Sequence, residues 1–141
     1  MLFFTHNNVQ HRIRFSKSVR TIKSLQQAGL LCKNHRIRTE IPDDMVNRNT
    51  VKAEIQVQRS DDSRFVTIAS GLSIQNPKDR FNPIYGKKLA LSKAFKHLLN
   101  ERVPIMGNSD LEKQERKRKK ADFKKFSLPA WNEFLVKYPQ D

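Results

Sequence analysis

The sequence holds a single cysteine, Cys32, among its 141 residues. A lone thiol makes no internal disulfide, which excludes a disulfide-stapled secreted scaffold and points to a reducing, cytoplasmic setting. Glycine is also scarce: four residues, scattered along the chain, leave no clustered glycines for a phosphate-cradling loop. With only six prolines, collagen-like or linker-like low complexity is excluded as well. No apolar run approaches the roughly 18–20 residues that span a bilayer. The opening cluster Leu2 to Phe4 is too short for the core of a secretion signal. Hydrophobic residues reach only 37%, so part of the chain is expected to be exposed. Acidic residues are the most telling deficit: 14 against 28 Lys and Arg leave a formal charge of +14.

That excess is not confined to a tail. Residues 1–60 carry 11 cations and 4 anions, 61–109 carry 8 and 4, and 110–141 carry 9 and 6. A chain of this length suits one domain plus an appendage, and the domain itself is basic. Solubility needs less charge than this, and a large single-sign excess favours polyanions.

Val9 to Phe15 alternates strictly, a half-buried strand with Gln10, Arg12 and Arg14 outward. Ser18 to Leu30 has helical spacing through Val19, Ile22, Leu25 and Ala28, with Gly29 as its end cap. Arg36 to Ile41 alternates again, with Arg36 and Arg38 outward. Val51 to Gln58 and Val66 to Ile74 form a β-hairpin around the turn residues Ser60 to Ser63. After an Asn- and Pro-rich loop, a helix from Gly86 carries Leu91, Ala94, Phe95, Leu98 and Leu99 on one side and packs onto the hairpin. Ser109-x-x-Glu112 is a capping box that starts a basic helix to about Phe126. Ser127-Leu128-Pro129 restarts the chain into a short stripe of Trp131, Phe134, Leu135 and Tyr138. The expectation is an α+β fold: a small, mainly antiparallel sheet covered by two helices over residues 1–104, a basic exposed helix or linker over 105–126, and an aromatic segment over 127–141.

Enzyme chemistry finds little purchase. Cys32 and His35, with His6 and His11 nearby, fall short of the four convergent ligands of structural zinc. Ser73 lacks the second glycine of a nucleophile elbow. Asp43, Asp44, Asp61, Asp62 and Asp79 each sit where a turn explains them. The sequence predicts no enzyme, no cofactor and no metal.

Binding chemistry is better represented. Arg12, Arg14, Arg36 and Arg38 would line one sheet face if their strands pair, able to neutralise phosphates or simply to solvate the sheet. The run Arg116, Lys117, Arg118, Lys119 and Lys120 would track a phosphate backbone, or form a solvated helix. Phe65, Phe81 and Tyr85 suit base stacking and core packing equally. The stripe Trp131, Phe134, Leu135 and Tyr138 suits a partner's groove, though packing back onto its own domain is the simpler reading. Lys87 and Lys88 stand where the expected helix start exposes backbone N–H groups, a corner suited to phosphate.

The segment Gly71-Leu72-Ser73-Ile74-Gln75-Asn76-Pro77-Lys78-Asp79-Arg80-Phe81-Asn82-Pro83, followed by Gly86 and a basic Ala-rich helix, resembles a pattern in small bacteriophage-encoded proteins. The resemblance covers residues 51–99 and implies a phage origin and a bacterial cytoplasmic location; it carries no catalytic residue. The function expected is non-enzymatic binding of DNA or RNA by backbone neutralisation. The alternative is a phage protein that inhibits a host polymerase or defence nuclease by protein–protein contact.

Overall fold

The computed structural model describes residues 1–29, 47–76, 80–102 and 109–139. Four strands, β1 (Leu2–His6), β2 (Val9–Arg20), β3 (Arg48–Gln58) and β4 (Phe65–Ile74), form one antiparallel sheet in the order β1-β2-β3-β4. Three helices accompany it, α1 (Ile22–Gln27), α2 (Pro83–Arg102) and α3 (Asp110–Lys137). The fold is α+β. The expected strand over 36–41, with Arg36 and Arg38, and the residues Cys32, His35, Asp43, Asp44 and Asp79 lie outside the described residues.

The alternation of each strand divides the sheet into two chemically different faces. Leu2 pairs with Ile13 and Ile13 with Ile55, while Phe15 pairs with Ala53, so these side chains share the face that helices cover. Phe3 pairs with Arg12, and Arg12 with Gln56, on the other face. β1 joins β2 through a two-residue turn in which Asn7 and Asn8 both take positive φ, 51° and 64°, as a tight hairpin demands. The second hairpin closes as expected over Ser60 to Ser63, with Arg59 N–H donating to Arg64 O at 2.7 Å. In that turn Asp62 accepts from Arg64 N–H at 3.0 Å and Asp61 from Arg59 at 3.1 Å, so both carboxylates serve the turn.

β2 continues to Arg20 where a helix beginning at Ser18 was expected. Ser18 and Thr50 share a 2.6 Å hydroxyl hydrogen bond across the strands, and a two-turn helix has too few bonds to compete with a ladder. The helix starts later, at Thr21, whose side chain accepts from Ser24 N–H at 3.0 Å, and it ends at Gly29 with φ +73°.

α2 lies on β3 and β4 with Ala90, Leu91, Ala94, Phe95 and Leu98 buried. Its approach to β4 is close: a Cβ at Gly71 would stand 2.2 Å from Ala90 O and 2.4 Å from Ala94 N. Lys93 reaches across to donate to Leu72 O at 3.0 Å, and burial there holds its ammonium below the ordinary pKa of 10.5.

α3 also covers the sheet, packing on β1. It runs unbroken through the expected restart at Ser127-Leu128-Pro129, so the boundary between residues 126 and 127 falls inside one helix. Proline inside a helix costs about 3 kcal/mol. Here Phe126, Ala130 and Phe134, all buried, bracket it and offset that cost. The aromatic stripe read as a partner anchor is therefore largely the protein's own core. Phe134 is fully buried against Phe15, and Trp131 and Tyr138 pack on the same cluster, leaving Leu135 as the member that faces solvent.

Phe126 lies at the centre of the aromatic packing. Its ring centroid is 5.6 Å from Phe4, 5.0 Å from His6, 5.1 Å from His11 and 5.8 Å from Phe123. At the other end Lys137 donates to Met1 O at 3.1 Å. α3 thus runs antiparallel to β1, and its first three turns, about 16 Å long, continue past the Asn7–Asn8 turn.

Candidate nucleic-acid interface

The five residues of the basic run do not act together, because a helix distributes consecutive residues around its axis. Lys119 pairs with Glu115 at 3.5 Å. Glu112 and Arg116, though spaced i, i+4, do not pair; Arg116 turns inward, and its Nε is buried without a hydrogen-bond partner among the described residues. Arg118 projects to another side of the helix from Lys117 and Lys120. Those two instead join Lys113 and Lys124 at i, i+4, i+7 and i+11, one exposed row down α3. A shallow depression along the row is lined by Lys113, Arg116, Lys117 and Lys120. Glu115, Asp122 and Glu133 lie on the opposite side of the helix. The signal for this row was the spacing of lysines outside the dense run, which a count of consecutive charges overlooks.

Arg12 and Arg14 lie on the sheet face opposite α2 and α3, as the alternation predicted. Arg14 is exposed. Arg12 is held in place: its Nε donates to Gln56 Oε1, and its guanidinium lies 4.2 Å over the Phe65 ring. Gln56 donates in turn to Thr67 at 3.1 Å, and Thr67 to Glu54 at 3.0 Å. Glu54 is the one carboxylate in the four strands, and Lys52 stands 4.0 Å from it.

Lys87 and Lys88 do not form the phosphate corner expected of them. α2 begins at Pro83, four residues ahead of Lys87, and Asn82 Oδ1 already accepts from the N–H groups of Ile84 and Tyr85 at 3.1 and 3.2 Å. Lys87 is a structural tie, donating to Tyr138 Oη at 3.0 Å and lying 4.5 Å over that ring. Lys88 is exposed on α2. Met1, Lys87 and Lys137 crowd one end of the molecule; hydrogen bonding to Lys137, then burial and the neighbouring lysine charges, lower the Met1 amine to about 6.

A cleft of about 280 Å³, missed by sequence reasoning, opens between the ends of β3 and β4 and the start of α2, lined by Asn49, Gln75, Arg80, Phe81 and Tyr85. Asn49 spends its amide on Gln75 Oε1 at 2.7 Å. Among the described residues, no group of three or more His, Cys, Asp or Glu side chains could hold a metal ion, and no helix is long and apolar enough to cross a membrane. Comparison of the chain with family models, curated proteins and solved structures gave no match.

Proposed function

We propose that this is a non-enzymatic nucleic-acid-binding protein, of bacteriophage origin and acting in the bacterial cytoplasm, which binds by neutralising phosphates. The observation that carries this reading is the α3 row of Lys113, Lys117, Lys120 and Lys124, exposed and segregated from Glu115, Asp122 and Glu133. Such a row suits the phosphate backbone and reads no base edges. The phage origin rests on the resemblance over residues 51–99. The competing reading, inhibition of a host polymerase or nuclease, has less support, since Phe134 is buried and Trp131 and Tyr138 pack against the core.

The test is the salt dependence of binding to bare DNA and RNA. Affinity should fall steeply between about 50 and 200 mM salt. Changing all four lysines to Gln should make the slope of log K against log salt shallower on duplex DNA, by about 0.9 for each phosphate no longer neutralised. Absence of binding at the low-salt end, or a slope that ignores the four substitutions, refutes the reading.

A further inference from the structure

Resting on that reading, we infer that the part of the sheet face opposite α2 and α3 that carries Phe3 and Arg12 is a stacking platform that selects single-stranded nucleic acid over duplex.

Phe3 has no role in holding the fold that the core does not already fill. Leu2 and Phe4, on either side, turn inward and are buried, while Phe3 turns outward and is 49% exposed on a face made otherwise largely of Arg, Gln, Ser and Thr. An aromatic ring placed in water among polar groups is a surface for something flat and partly apolar. Directly opposite it in the β1–β2 register is Arg12. That guanidinium is not a loose cation on a flexible stem: Phe65 supports one side of its plane and Gln56 fixes its Nε. The Gln56–Thr67–Glu54 chain behind it locks the amide that does the fixing. A planar group immobilised in this way offers its remaining N–H groups to phosphate or base oxygens and its outer side to a stacked ring.

The surroundings match the rest of a nucleotide. Arg14 and Lys52 lie further along the same face for phosphates, and Glu54, its one carboxylate, is engaged by Thr67 and Lys52. Thr5, Gln10 and Ser16 add polar side chains to the same face. A four-stranded sheet is too broad to enter either groove of a duplex edge-on, and the flat sides of paired bases are sealed within their own stack. Only unpaired bases can lie against Phe3 and Arg12. The surface is sequence-tolerant, since every base has a π-face, and it suits single-stranded DNA and RNA alike.

The experiment measures binding of the full chain to a mixed-sequence oligonucleotide as single-stranded DNA, as single-stranded RNA and as the DNA duplex. The variants are Phe3→Leu, which keeps apolar bulk, and Arg12→Lys, which keeps the charge; thermal melting checks that each folds. Wild type should prefer one or both single strands to duplex. Each variant should weaken single-strand binding about five- to fiftyfold, with duplex binding changed less than about twofold. Arg12→Lys should leave the salt slope unaltered, which separates loss of a plane from loss of a charge. If both variants bind single strands like wild type, or wild type prefers duplex, the platform is refuted and phosphate neutralisation by α3 stands. If wild type binds no nucleic acid at low salt, both readings fall together. If Phe3→Leu dissociates a dimer and leaves nucleic-acid binding intact, the surface is a contact between copies and the inference is wrong.

Discussion

Replacing Phe126 with alanine is expected to lower the stability of the protein by about 3–5 kcal/mol, the range for deleting a buried phenyl ring and leaving its cavity unfilled. Phe126 is 2% exposed and meets rings from β1, β2 and α2 as well as its own helix. No single neighbour can close the space it leaves. A domain of this size has about 5–15 kcal/mol in all, so the variant should sit close to the edge of folding. Urea unfolding followed by far-UV circular dichroism and by Trp131 fluorescence measures the loss. Leu128→Ala, two residues on and 57% exposed, is the control and should move stability by less than about 0.5 kcal/mol. A Phe126→Ala loss below about 1 kcal/mol would mean that α3 is not docked on the sheet, and the lysine row would lose its fixed relation to the domain.

Gly71→Ala should be nearly as damaging, for the opposite reason. The added methyl group would stand within 2.4 Å of backbone atoms of both Ala90 and Ala94, and a helix backbone cannot swing aside as a side chain can. α2 must lift from β4 as a unit, opening the packing along Leu91, Phe95 and Leu98. The expected cost is about 3 kcal/mol, at the upper end of overpacking effects. Gly29→Ala makes the informative comparison. Its positive φ of 73° penalises a side chain by about 1–2 kcal/mol, yet nothing lies within 4 Å of the new atom. Denaturant midpoints of the two variants should therefore rank Gly71→Ala below Gly29→Ala. The reverse order would place α2 further from the sheet than described.

The parts of the fold legible in the sequence are those where one physical signal dominates. The β3–β4 hairpin has clean alternation on both sides of a polar turn, and α2 has an unbroken apolar stripe. β1 was hidden because Phe3 faces outward: three consecutive apolar residues show no period of two, even though the strand has one. The consecutive asparagines at its end were the available clue, since that residue type tolerates the left-handed backbone of a tight turn. The continuity of α3 was hidden by Pro129, whose local penalty is offset only by burial against strands far away in sequence. For the candidate site, the outward arginines of β2 were readable, but the support of Arg12 by Phe65 and Gln56 joins three strands and needs the register. Lys87 misled because its partner, Tyr138, lies 51 residues on.

The overhang of α3 has an energetic consequence. From Phe123 onward the helix is held by the core, whereas between Asp110 and Asp122 no side chain is fully buried. That front section relies on the Ser109 cap and the Glu115–Lys119 pair, while Lys113, Lys117, Lys120 and Lys124 repel one another at helical spacing. Local stability therefore declines along a single continuous helix. A polyanion that cancels the repulsion does two things at once, neutralising the row and tightening the turns that carry it. On the proposed reading ligand affinity and helix order are coupled: whatever loosens the front of α3, such as warming, would weaken its hold on phosphate.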